Sequence, residues 1–89
     1  MVKKVDSYQF ANRFKKEYKK LPKEIQKRFD EKLPLFLNNM LHPSLRVKRI
    51  QGTKERWEGS ITMKYRFTFE FSENTIIFRT IGTHDILNR

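Results

Sequence analysis

Cysteine is absent from this chain of 89 residues. Disulfides, thiolate catalysis and cysteine-based zinc sites are therefore excluded. Histidine is scarce, with two copies at His42 and His84. No run approaches the roughly 18 apolar residues of a membrane-spanning helix, and Met1 to Lys4 carries no signal-peptide apolar segment. The expectation is a cytoplasmic protein without membrane contact. Negative charge is also short: 10 Asp and Glu stand against 20 Lys and Arg, a formal net charge of +10. So large an excess on so small a body works against compaction and favours a polyanionic partner, whether RNA, DNA or an acidic protein.

What is present is enough for one modest core. Aromatic residues make up 13% of the chain, which separates it from a disordered basic tail, and its length fits a single domain over residues 1–89. Asp6-Ser7-Tyr8-Gln9 offers a helix cap. Phe10, Phe14, Tyr18 and Leu21 then recur at spacings of four, four and three, one face of a helix whose Lys15, Lys16, Lys19 and Lys20 face solvent. Pro22 opens a second helix, with Ile25, Phe29, Leu33, Phe36 and Met40 on its apolar side. Pro34 predicts a kink or an early end near Lys32-Leu33.

After His42-Pro43-Ser44 the period shifts towards two. Leu45, Val47 and Ile50 alternate with Arg46, Lys48 and Arg49; Trp57, Gly59, Ile61 and Met63 alternate with polar residues; Tyr65, Phe67, Phe69 and Phe71 give the cleanest strand pattern. Ser72-Glu73-Asn74 reads as a hairpin turn before a last strand from Thr75 to Ile81, and Met1 to Val5 is a candidate edge strand. The expected architecture is α+β: a two-helix hairpin packed on one face of a small antiparallel sheet. Burying the aromatic face of 65–71 turns Arg66, Thr68 and Glu70 to the other face. Arg46, Lys48, Arg49, Lys54 and Arg56 supply cations beside it. A sheet with cations on its open face is a plausible groove for a phosphate backbone. His84, in Gly82-Thr83-His84-Asp85, adds a group that titrates near neutrality, suited to move a proton in RNA chemistry. His42, followed by proline, reads as a helix stop, and Trp57, in phase with Ile61, as core.

Four segments carry a resemblance. Leu21-Pro22-Lys23-Glu24-Ile25-Gln26-Lys27-Arg28 resembles the second-helix opening of RelE/ParE-type toxins. Pro43-Ser44-Leu45-Arg46-Val47-Lys48-Arg49-Ile50-Gln51-Gly52 resembles the strand that follows it. Tyr65-Arg66-Phe67-Thr68-Phe69 is similar to the central strand of that family. Arg79-Thr80-Ile81-Gly82-Thr83-His84-Asp85-Ile86-Leu87 is similar to the C-terminal segment of its RelE/YafQ-like mRNA interferase branch. The resemblance implies a toxin of a bacterial type II toxin–antitoxin pair, held silent by a cognate antitoxin with an acidic segment. It implies a ribosome-dependent mRNA endonuclease that works without metal or cofactor, the ribose 2′-OH attacking the adjacent phosphate. His84 would be catalytic and Arg66 would hold phosphate. Lys48, Arg49 and Lys54 lie in the segment that supplies basic contacts.

The chain departs from that branch in having no histidine between Pro43 and Thr83, and Asn88 where its relatives carry an aromatic residue. Proton transfer could then fall to Glu58, Glu70 or a lysine of lowered pKa. The alternatives are a ParE-like inhibitor of DNA gyrase, which needs no catalytic histidine, and a catalytically inactive RelE-fold binding protein.

Overall fold

A computed structural model describes residues 7–83, 85 and 86. Strand β1 (Ser7–Phe10) leads into helices α1 (Asn12–Lys19) and α2 (Lys23–Asn38). A 3₁₀ turn (Pro43–Leu45) precedes strands β2 (Lys48–Arg49), β3 (Arg56–Ser60), β4 (Tyr65–Ser72) and β5 (Thr75–Thr83). The five strands form one sheet in the order β1-β5-β4-β3-β2. Three junctions are antiparallel, but β1 pairs in parallel with β5, so the sheet is mixed.

Strand β1 replaces the expected first helical turn. Phe10 has the helical spacing to Phe14, yet it lies in a strand and the next amide, Ala11 N–H, donates to Phe78 O at 2.9 Å. The spacing misleads because the strand runs directly into α1 with both rings turned to the core. Phe10 stacks on Phe14 and on Phe78, with ring centres 5.1 Å apart in each case. The candidate edge strand at 1–5 and the cap at Asp6 lie outside the described residues.

Helix α2 runs through Pro34 to Asn38 instead of ending near Lys32. The proline is exposed, so its ring meets solvent while the helix buries Ile25, Phe29 and Phe36. The strand expected over 45–50 shrinks to the two residues of β2, because the 3₁₀ turn claims Leu45 and leaves Arg46 left-handed at φ 47°. The strand expected to reach Met63 stops at Ser60, and Met63 is exposed. The hairpin at 72–74 forms as expected, with Glu73 in the left-handed region at φ 55°.

The core lies between the helices and one face of the sheet. Phe36, Phe67, Phe69 and Phe78 are fully buried, and Phe36 meets Phe69 edge-on at 4.9 Å between ring centres. Each buried phenylalanine contributes on the order of 1.5–3 kcal/mol, so these rings dominate the cohesion of so short a chain. Trp57 is half-buried against this core, edge-on to Phe71.

Ladder β4–β5 contains an irregularity that shapes the other face. Thr68 pairs with Thr80, but the next residue, Phe69, pairs with Phe78. Arg79 is thus the extra residue of a β-bulge, a device that re-aims a side chain and bends a strand.

Candidate nucleic-acid interface

The face away from the helices is polar because of strand alternation. Cross-strand register places Lys48 opposite Glu58, Glu58 opposite Thr68, Arg56 opposite Glu70, and Ser60 opposite Arg66. At the bulge this face opens into a cleft of about 360 Å³. Arg13, from the start of α1, Arg56, from the start of β3, and Arg79, from the bulge, line it with Thr68, Thr80 and Ile86. The hydroxyls of Thr68 and Thr80 lie 2.5 Å apart, so one donates to the other.

Two of these arginines are steadied by carboxylates. Arg79 Nε lies 3.5 Å from Glu70 Oε1 and Arg13 Nε 3.5 Å from Glu17 Oε2. The other oxygen of Glu17 accepts the Ile81 N–H at 3.2 Å, which joins α1 to the strand just past the bulge. Neither acid lines the cleft, and no other carboxylate among the described residues does. Its lining is therefore cationic and hydroxylated, a donor set that suits phosphodiester oxygens. Ile86 closes one side; it is buried, and a Cβ on Gly82 would come within 3.0 Å of its side chain.

Arg66 lies on the same face but does not line the cleft. Its guanidinium donates to the carbonyls of Thr62 and Tyr65, and Nε lies 3.9 Å from Glu58 Oε1. Both side chains are largely withdrawn from water, at 13% and 8% exposure, so this is a fixed, partly desolvated pair rather than a mobile surface contact.

The expected cations do not share one surface. Lys48 and Arg56 are on the open face, whereas Arg49 is opposite Trp57 and therefore on the helix-side face. Lys54 lies beside Trp57 and Phe71 in a recess at that edge. Arg46 lies near Lys32 of α2, next to Ser60 and Thr62. His84 falls outside the described residues. His42 caps the 3₁₀ turn, its Nδ1 accepting the Ser44 N–H at 3.2 Å, in keeping with a helix-stop role. Arg13 and Arg79 were not legible as site residues. Arg79 reads as one residue of a regular strand until the bulge turns it, and the place of Arg13 depends on how α1 docks against β5. Among the described residues, no group of three or more His, Asp or Glu is placed to hold a metal ion, and no helix is long and apolar enough to cross a membrane.

No protein-family model matches the chain. No curated protein matches it either. Solved structures do. The chain is similar to the toxin of the RelB–RelE antitoxin–toxin complex of Methanococcus jannaschii, at 28% identity and a TM-score of 0.74, with 90% of this chain and 94% of that one covered. It is similar to YafQ of E. coli strain BL21(DE3), at 17% identity and a TM-score of 0.76, over 94% of this chain and 98% of that one. It is also similar to YoeB of Staphylococcus aureus, a dimer, at 17% identity and a TM-score of 0.73, over 88% and 95%. The two helices on a five-stranded sheet thus share the fold of these RelE, YafQ and YoeB toxins.

Proposed function

We propose that this protein is the toxin of a toxin–antitoxin pair and an endoribonuclease that cuts mRNA on the ribosome. The observation that carries the proposal is the cleft of Arg13, Arg56 and Arg79 over the paired hydroxyls of Thr68 and Thr80. Arg13 and Arg79, held by carboxylates before the substrate arrives, would stabilise the charge that grows on phosphorus in the transition state. Arg66, fixed beside Glu58, adds a further cation to this face. In the proposed reaction a ribose 2′-oxygen bonds to the adjacent phosphorus as its proton passes to a base. The 5′-oxygen leaves and takes a proton from an acid, giving a 2′,3′-cyclic phosphate and a 5′-hydroxyl. Glu58 and Glu70 are both engaged with arginines, so His84 is assigned both transfers in turn, taking the proton of the 2′-OH and returning it to the departing 5′-oxygen. No metal or cofactor is invoked.

The partner follows from charge. Neighbours of this fold are toxins in complex with the antitoxins RelB and DinJ. A chain of net charge +10 attracts an acidic, initially disordered segment quickly and over a wide surface. A cognate antitoxin of that kind, covering the arginine cleft, would silence the toxin.

Incubation of the purified protein in a translating extract tests the reading. The expected result is mRNA fragments with 2′,3′-cyclic or 3′-phosphate ends, greatly reduced by His84→Ala. Intact mRNA, under conditions where a known mRNA-cutting toxin is active, would overturn it. Growth arrest that persists undiminished in His84→Ala would point instead to gyrase inhibition.

A further inference from the structure

We propose that a second recess, lined by Lys32, Arg46 and the hydroxyl residues Ser44, Ser60 and Thr62 together with Ile61 and Met63, binds a single phosphate group. It shares no lining residue with the arginine cleft, and the proposal stands whether or not that cleft cuts RNA. The recess lies where α2, the 3₁₀ turn, the end of β3 and the β3–β4 turn meet. Its volume is about 150 Å³, well below the roughly 300–1,000 Å³ of pockets for drug-sized ligands, and suits one tetrahedral oxyanion.

Charge is the first support. Four arginines elsewhere pair with carboxylates: Arg13 with Glu17, Arg28 with Glu24, Arg66 with Glu58, and Arg79 with Glu70. Among the described residues no carboxylate lines this recess, although Lys32 and Arg46 both do. The Lys32 ammonium donates to Ser44 O at 3.3 Å, which anchors it and leaves two of its three N–H groups for a ligand. Partial burial, and then the neighbouring Arg28, hold the Lys32 amine below its usual pKa. A bound anion would offset both effects.

Backbone geometry is the second, independent support. Arg46 is left-handed at φ 47°. For a residue with a Cβ that conformation costs roughly 1–2 kcal/mol, and strain of this kind clusters at ligand sites. Here it places a long cationic side chain at the rim. Ser60 is itself buried, and Ser44 Oγ lies 2.9 Å from His42 Nδ1, which fixes the hydroxyl at the rim.

The phosphate could belong to an RNA backbone or be free in solution, and two probes distinguish them. Isotope-labelled protein is titrated with inorganic phosphate and, separately, with a single-stranded oligonucleotide lacking terminal phosphates, while the amides of 44–46 and 60–62 are followed by NMR. Both probes are expected to shift these amides if the ligand is a backbone phosphate, and inorganic phosphate alone if it is a free one. Lys32→Met and Arg46→Gly are each expected to weaken binding about tenfold, the loss of one charge-assisted contact. Arg46→Gly also relieves the strained backbone, so its fold is secure. Amides that stay still with both probes, or shifts of equal affinity in both variants, would overturn the proposal.

Discussion

Gly59 lies under the ring of Phe67, its cross-strand partner, where a Cβ would come within 2.4 Å of Phe67 Cζ. Gly59→Ala must therefore push a fully buried ring out of its place between Phe29 and Phe36. We expect a loss of about 1–3 kcal/mol, read as a lower urea midpoint with unchanged slope. A midpoint equal to wild type would mean that the ring has room to move. Arg56 is the opposite case, exposed and free of any carboxylate within ion-pair distance among the described residues. Arg56→Ala should leave the unfolding midpoint alone and weaken single-stranded RNA binding about tenfold. Equal affinities in a binding titration would remove Arg56 from the interface. At this scale the sequence was informative where alternation was regular. Arg66, Thr68 and Glu70 were correctly turned away from the helices, and Arg56 was among the named cations. Arg79 was hidden because a bulge breaks alternation without any change in residue type.

Between the helices, Tyr18 of α1 donates its hydroxyl to Asp30 Oδ1 of α2 at 2.6 Å. Partial burial first, and then Asp30, push the phenol from its usual 10.0 up to about 12. A pKa raised on folding contributes stability that is fully present below the unfolded value and is lost as pH climbs through the folded one. Wild type should therefore lose stability between pH 10 and about 12, and Tyr18→Phe should lose less over the same window. Unfolding midpoints of the two proteins across that range check the sign; parallel curves would show that the hydrogen bond is not coupled to folding. The helix hairpin itself was legible from the 3.6-residue period of its apolar face. β1 was not, because Phe10 keeps a helical spacing while its backbone pairs with a strand far away in the sequence. The division of the 46–56 cations between two faces was equally hidden, since it depends on β2 shrinking to two residues and fixing the register of Lys48 against Glu58.

For the molecule as a whole, the excess of positive charge sets how binding responds to salt. Three cleft arginines neutralising three phosphates predict a slope of about −2 in the logarithm of RNA affinity against the logarithm of salt concentration. Lysines on the helices, if they also bind RNA, would steepen that slope well beyond this value. A shallow slope would mean that the cleft is not the electrostatic contact. The parallel ladder that joins Ser7 to Thr75 has a consequence for synthesis. These residues are 68 positions apart. At roughly 5–20 residues per second, that gap takes ~3–14 s to translate. During that interval β1 waits without its partner strand, and Phe78 and Ile81 have yet to join the core. The cleft needs Arg13 from the first helix and Thr80 from the last strand, so it is among the last features to be completed on the nascent chain. On the proposed function, a cell making this protein would meet no half-built arginine cleft, and an antitoxin produced beforehand would have until the final strand emerges to be in position.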